Sequence, residues 1–300
     1  MNKPMPFHYG AAFSRNLGWV TEAEQAQLRG KRVAIAGLGG VGGFHLLTLA
    51  RLGIGAFTLA EFDHFEAPNM NRQVGATLSS LGRPKLDVLV EMAKDVNPEL
   101  DIRCFPSGVT QENVERFLRD ADVYVDGLDF FAFQARITTF GACARLGVPA
   151  ITAAPLGMGV ALLNFLPGRM TFDEYFGLKG HSEKEQALRF LVGLSPAMLQ
   201  RGYVADPSHI RLDEQRGPST IMACQLCAGV AATEALKILL KRGSVLAAPS
   251  GLHFDAYRGR LSKTWRPWGS HNPLQRLTLA IARRQIAAMG RGAGVPTSAP

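Results

Sequence analysis

The stretch "RVAIAGLGGVGGFHLLTLARLGIGAFTLAEFD", residues 32–63, constrains the fold more than any other. Its β-branched opening reads as a buried strand and its glycines as a tight turn. "FHLLTLARLG" reads as a helix closing near Gly53, and "AFTLAEFD" as a second strand. A strand–helix–strand unit this short demands a parallel sheet and a right-handed crossover. Gly37, Gly39 and Gly42 match G-x-G-x-x-G in the strand–turn–helix context that gives the motif meaning. Such glycines let the backbone approach phosphate, and the helix start offers N–H groups and positive potential. A dinucleotide such as NAD and the triphosphate of ATP both fit this turn.

The alternation continues along the chain. "PKLDVLVEMAKDVN" is amphipathic, with Leu86, Leu89, Val90 and Ala93 on one face. "DIRCFP", "DVYVDG" and "PAITAA" read as strands. "TQENVERFLRD", with Thr110 as its N-cap, and "FQARITTFGACARLG" read as helices. The fold class expected is α/β, a doubly wound, mostly parallel, Rossmann-like sheet with a C-terminal crossover and antiparallel extension. "GVALLNFLPG" adds a strand, and residues 170–217 form an irregular insertion with one helix near 183–193. "CQLCAGVAATEALKILLKRG" is a long helix and "GLHFDAYRGRLSKTW" a hairpin. The last helix, "NPLQRLTLAIARRQIAAMG", sets Leu274, Leu277 and Ile281 on one side, and the tail beyond it is expected to be disordered. The organisation expected is an N-terminal helical arm (1–30), a nucleotide-binding domain (31–167), a variable crossover (168–217), a completion of the fold (218–268) and a basic helix with its tail (269–300).

A hydrophobic share of 47% against 19% charged residues supports a substantial core and excludes a disordered chain. No apolar run is read as long enough to span a bilayer and no secretory signal is visible, so a cytoplasmic protein without membrane contact is expected. Four cysteines are no disulfide framework. Cys104 and Cys143 read as buried thiols. Cys224 and Cys227 form a CxxC pair; two thiolates do not complete a tetrahedral site, so no zinc is expected, the other reading being a redox pair with a lowered thiol pKa. The net charge of +8 is uneven: residues 258–300 hold eight Arg or Lys and no Asp or Glu. That segment reads as a solvated tail or as a contact for an anionic partner.

The residues after the second strand discriminate between nucleotides. Glu61 ends that strand nineteen residues after Gly42, a spacing suited to ribose hydroxyls, and Asp63 would face the same way if the strand continued. Asn69, Asn71, Arg72 and Gln73 follow, then Lys85 at a helix start. A plain NAD domain needs none of them. Arg72 and Lys85 suit β- and γ-phosphate oxygens, where charge builds as pyrophosphate leaves. Asp126 and Asp129 close the fourth strand, on the edge where open α/β sheets bind ligands, and a carboxylate there can serve Mg²⁺.

"RVAIAGLGGVGG…FTLAEFD…NMNRQ…GRPK…DGLD" resembles the ThiF/MoeB/HesA family, bacterial relatives of ubiquitin-activating enzymes. The resemblance implies ATP·Mg²⁺ binding and adenylation of a carboxylate, often the C-terminus of a ubiquitin-like carrier protein. By position it implies Gly39 and Gly40 at the phosphates and Glu61 at the ribose; Gly37 and Gly42 are cofactor-binding candidates as part of the glycine motif. It implies Asn69, Arg72 and Lys85 at the triphosphate and Asp129 at the metal, with Asp63 and Gln73 as further cofactor-binding candidates. "FSRNLG" resembles the segment whose arginine, Arg15 here, reaches a partner subunit's site, which implies a homodimer. The chain departs from the family in carrying Glu61 where Asp is usual and Phe130 where Asn often follows the metal aspartate. Residues 151–223 hold no cysteine, so the mechanism expected stops at an acyl adenylate with no enzyme thioester.

Three other readings fit less of the chain. A relative of tRNA threonylcarbamoyladenosine dehydratase would keep adenylation and use the basic C-terminal segment on RNA. A non-catalytic nucleotide-binding scaffold would tolerate Glu61 and Phe130. An NAD-dependent oxidoreductase would leave Arg72, Lys85 and Asp129 idle. His181, His209 and His253 are scattered and read as surface or packing residues.

Overall fold

A computed structural model describes residues 6–211, 214–215 and 217–292, with side chains to 284. The order of elements is α1 (Tyr9–Ala12), α2 (Glu22–Arg29), β1 (Arg32–Ala36), α3 (Gly42–Leu52), β2 (Ala56–Ala60), α4 (Lys85–Val96), β3 (Asp101–Phe105), α5 (Val114–Phe117), β4 (Val123–Asp126) and α6 (Phe133–Leu146). Then come β5 (Ala150–Leu156), β6 (Gly159–Phe165), α7 (Phe172–Phe176), α8 (Glu183–Leu194), α9 (Ile221–Leu239), β7 (Ser250–Asp255), β8 (Arg260–Trp265) and α10 (Pro273–Gly292).

The strands form one sheet in the order β3-β2-β1-β4-β5-β6-β7-β8. The first five are parallel and the last three antiparallel, as the doubly wound reading with an antiparallel extension requires. β1 is buried at every position because helices cover both faces of a parallel sheet. One core lies under α3, α4 and α9, including Ile35, Leu46, Leu89 and Cys227. The other lies under α6, α7 and α8, including Tyr124, Phe140, Phe172 and Phe190. Ala36 pairs with both Ala60 and Asp126, so β1, β2 and β4 end level. That register brings three post-strand loops to one edge.

Several details differ from the sequence reading. α5 is four residues long; Asn113, not Thr110, precedes it, and the Asn113 carboxamide oxygen accepts the Thr110 N–H at 2.8 Å. β2 stops at Ala60, so Glu61 lies beyond the strand and the alternation expected to align Asp63 with it does not apply. Cys104 is exposed, while Cys143 is buried. The insertion holds α7 as well as α8. Thr171 and Glu174 cap α7 reciprocally, a T-x-x-E signal readable in the sequence. α9 is long and apolar enough to cross a membrane by length and composition, against the expectation of no such run. It packs instead on α3, β5 and β6, with Ala228, Ala231 and Ala235 buried there. Residues 293–300 of the expected disordered tail lie outside the described residues.

Candidate functional site

The glycine turn divides into one structural pair and one outward-facing pair. Gly37 sits at φ +81°, and a Cβ there or on Gly42 would overlap backbone at Gly127 or Gly37. These two glycines hold the turn against the loop after β4. Gly39 and Gly40 face the other way. A Cβ on Gly39 would lie 3.6 Å from the Gln73 amide nitrogen, and one on Gly40 would lie 3.7 Å from Nε of Arg72 and 3.3 Å from Sγ of Cys224. α3 starts here with Val41 at its N-cap and no side-chain cap. An uncapped helix start presents free N–H groups and the positive end of the helix dipole.

Glu61 closes the turn from below. It is 7% exposed. One carboxylate oxygen accepts the Leu38 N–H at 2.7 Å, and the other accepts those of Phe62 and Asp63 at 2.8 and 3.0 Å. Glu61 therefore shapes the turn and keeps lone-pair capacity for a hydroxyl donor.

Two cations border the turn. Lys85 is the first residue of α4, where the helix dipole opposes a positive charge, and it is 5% exposed. Its partner is Asp63, at 3.2 Å. Asp63 thus serves the lysine and does not stand beside Glu61 as a second ribose group. Arg72 is half-buried and has no carboxylate partner among the described residues. Its guanidinium donates to the Pro68 carbonyl at 3.0 Å and to the Asn71 side chain at 2.9 Å. Asn71 in turn donates to the Ser219 carbonyl, 3.1 Å away. Asn69 caps the turn at Ala67–Asn69 by accepting the Glu66 N–H. Gln73 is buried, and its Oε1 has no partner among the described residues. A buried acceptor left open at a binding loop marks a place for a donor.

The loop after β4 supplies the remaining side. Asp126 is not a free carboxylate: it is buried against Arg136 at 2.9 Å and also accepts from Thr152 and the Leu128 N–H. Arg136 was not singled out in the sequence. It donates to the carbonyls of Leu128, Asp129 and Phe130, so it fixes the whole 128–130 loop. The readable signal is an arginine in the first turn of a helix, ten residues after an aspartate. Asp129 is exposed; one of its oxygens accepts the Phe131 N–H at 3.0 Å and the other has no partner among the described residues. It does not cap α6, whose N-cap is Ala132. Phe130 packs on Phe131, Phe133 and Phe190 and is a core residue of the loop.

Arg15 is not brought to this group. It is exposed on the Ser14–Asn16 turn, and the neighbouring Asn16 bonds the Leu52 carbonyl at the far end of α3. The eleven residues of α3 put about 16 Å between that end and the glycine turn. The CxxC thiols are not activated. Burial pushes Cys224 up, with Ser219 and Arg72 opposing, and raises Cys227 well above the ordinary range. His253 is buried, with Nδ1 2.8 Å from the Ser195 hydroxyl, a packing role.

The sequence and the fold have known counterparts. Over 142 residues the chain is 32% identical to tRNA threonylcarbamoyladenosine dehydratase of Bacillus subtilis (strain 168), covering 47% of this chain and 55% of that protein. Over 143 residues it is 33% identical to sulfur carrier protein ThiS adenylyltransferase of Escherichia coli (strain K12), covering 48% and 56%. The chain thus spans about half the length of these curated relatives. The fold superposes on a crystal structure of E. coli MccB with succinimide at a TM-score of 0.66 and 18% identity, covering 87% of this chain and 73% of that one. It superposes on E. coli tRNA N6-threonylcarbamoyladenosine dehydratase, TcdA, at 0.58 and 20% identity, covering 77% and 95%. The ThiF family model matches residues 13–276, and the chain belongs to the ThiF family.

Proposed function

We propose that the protein is an ATP-dependent adenylyltransferase that activates a carboxylate as an acyl adenylate. One observation carries this reading: an uncapped helix start faces a guanidinium, Arg72, that has no carboxylate partner among the described residues, and lies beside a loop whose Asp63 is held by a buried lysine, Lys85. Backbone N–H groups at the turn would cradle the phosphates of ATP, and Glu61 would take a ribose hydroxyl. The substrate carboxylate oxygen attacks the α-phosphorus, a new C–O–P link forms, and the bond to the β-phosphate oxygen breaks. Pyrophosphate leaves with the electron pair, and Arg72 and Lys85 offset the charge that builds on it. The carboxylate is its own nucleophile, so no general base is needed. The free oxygen of Asp129 suits Mg²⁺, which takes one or two carboxylates alongside phosphate oxygens and when bound would neutralise developing charge.

The acceptor we favour is the free C-terminus of a small carrier protein or peptide, in the cytoplasm where ATP is supplied. The position of Arg15 supports a homodimer, since only a second subunit could bring it to a glycine turn. A second reading places the carboxylate on a modified tRNA base; the 32% identity to a dehydratase acting there and the basic end of the chain favour it. Labelling tests both. Incubation with α-³²P-ATP, Mg²⁺ and fractionated lysate should label a protein or peptide in a Lys85-dependent way. Label dependent on the RNA fraction would move the assignment to tRNA. Tighter equilibrium binding of NAD than of ATP would sink both.

A further inference from the structure

A second feature lies at the sheet edge opposite the glycine turn. β6 runs antiparallel to β5, so the Gly168–Met170 turn that follows it is at the amino edge. Between that turn, the segment around Lys179 and α10 opens a groove of about 1410 Å³. Five Arg or Lys side chains line it against two acids. Lys179 pairs with Asp173, and Arg189 and Arg283 both pair with Glu185. Arg169 and Arg276 are exposed and their side chains have no partner among the described residues. The walls are apolar between these charges, at Met170, Leu277 and Leu279.

Trp268 stands at the rim, 69% exposed and held at φ 64°, a left-handed conformation that a bulky side chain rarely adopts. Of the α10 face formed by Leu274, Leu277 and Ile281, Leu277, 58% exposed, lines the groove. Exposed Leu277 and Trp268, beside two arginines without partners among the described residues, select a ligand that is both apolar and acidic. A nucleic acid backbone fits less well, because three of the five cations already have carboxylate partners.

We propose that this groove docks an acidic, amphipathic peptide segment of the polypeptide whose C-terminal carboxylate is activated at the opposite edge. The proposal rests on the adenylyltransferase reading for its substrate class. α8 starts beside the groove and ends at Ser195, which bonds His253 on β7. Its twelve residues span about 18 Å. A docked segment must therefore clear at least the length of α8, roughly six extended residues, on its way to the other edge. Docking away from the chemistry would let the substrate be recognised by its body while only its tail enters the nucleotide site.

The test is fluorescence anisotropy without nucleotide. The probe is a fluorescein-labelled peptide alternating glutamate and leucine; a lysine–leucine peptide and an oligouridylate of equal length are its counterparts. The acidic peptide should bind saturably. Arg169→Glu with Arg276→Glu should weaken it by about tenfold or more, and Trp268→Gly, which relieves the left-handed backbone, should weaken it too. Lys85→Ala should leave it unchanged. Binding indifferent to the groove variants, or preference for the lysine–leucine peptide or the oligouridylate, overturns the proposal. Loss of ATP-dependent labelling with peptide binding intact would instead count against the adenylation reading alone.

Discussion

The two cationic regions of this molecule are built in opposite ways. At the glycine turn the charges are fixed: Lys85 is buried at the start of α4 and Arg72 is pinned by the Pro68 carbonyl and Asn71. The helix that opens there, α3, has no side-chain cap. At the groove the unpaired arginines are free in solvent, and the neighbouring helix α7 has its first N–H groups satisfied by the Thr171–Glu174 capping box. Free backbone donors beside immobile charge suit a reacting phosphate, where small displacements matter. Satisfied backbone beside mobile charge suits a surface that recognises sign and shape. Where the chain leaves its own donors unmet shows where a ligand belongs.

The contrast is broken most severely by removing the fixed charges. Arg72→Ala or Lys85→Ala should each lower the rate of adenylate formation by about 10²–10³-fold, the usual loss for one preorganised donor. Arg72→Lys should restore little of it, since an ammonium cannot reproduce the planar fork. Thermal unfolding should scarcely change, because Asp63, the partner left behind by Lys85→Ala, is half-exposed. Full activity in the Lys85→Ala protein, measured by labelled adenylate in quenched reactions, would remove the lysine from the mechanism.

Two alanine substitutions only a short distance apart sharpen the same division. Gly42→Ala drives a methyl into the Gly37 carbonyl, a backbone atom with nowhere to go. It should cost about 3 kcal/mol of stability, read by urea unfolding. Gly40→Ala meets only Cys224 and Arg72, at 3.3 and 3.7 Å, and both are side chains. It should spare stability and weaken ATP binding. If both variants lose only stability, the turn has no ligand face.

The sheet was legible in the sequence because alternation of buried strands with amphipathic helices has few folded solutions. Gly37, Gly42, Arg72 and Lys85 were legible for a related reason: spacing from a strand end fixes the edge on which a residue lands. What was not legible depended on contacts across the fold. Arg136 could not be tied to the 128–130 loop without knowing that α6 packs over β4. Asp63 changed role because β2 ends one residue early, at Ala60, which periodicity cannot resolve. The groove needed α10 to return against α8, through Leu188, Val192 and Leu279, a pairing no local pattern encodes.

His45 offers a pH-dependent test of the fixed region. It lies on α3 behind the glycine turn, fully buried, with neither ring nitrogen partnered among the described residues. Burial pushes its pKa down from 6.5 to about 4, and the nearby charge of Asp126 only partly opposes this. The folded pKa is below the unfolded one, so the unfolded chain binds the proton first as pH falls. Stability is full above about pH 6.5 and declines as pH falls toward 4. By pH 4.5 most of this group's contribution, on the order of 2–3 kcal/mol, is lost. His45→Leu should flatten that part of the pH dependence relative to the parent protein, and an unchanged slope would place the loss in other groups.

The smallest effect tests the capped side. Thr171→Ala removes the hydroxyl that accepts the Glu174 N–H at 3.2 Å and loosens the carboxylate that holds the Thr171 N–H at 2.7 Å. The expected cost is about 1 kcal/mol, a shift of a few degrees in Tm. Adenylate formation should not change, because α7 lies on the opposite edge from Arg72 and Lys85. Peptide docking should change little as well, since the groove's free charges, Arg169 and Arg276, lie outside the capping box. A change in adenylation comparable to that of Arg72→Ala would mean that the two edges are energetically coupled, and that the separation of chemistry from recognition fails at its weakest point.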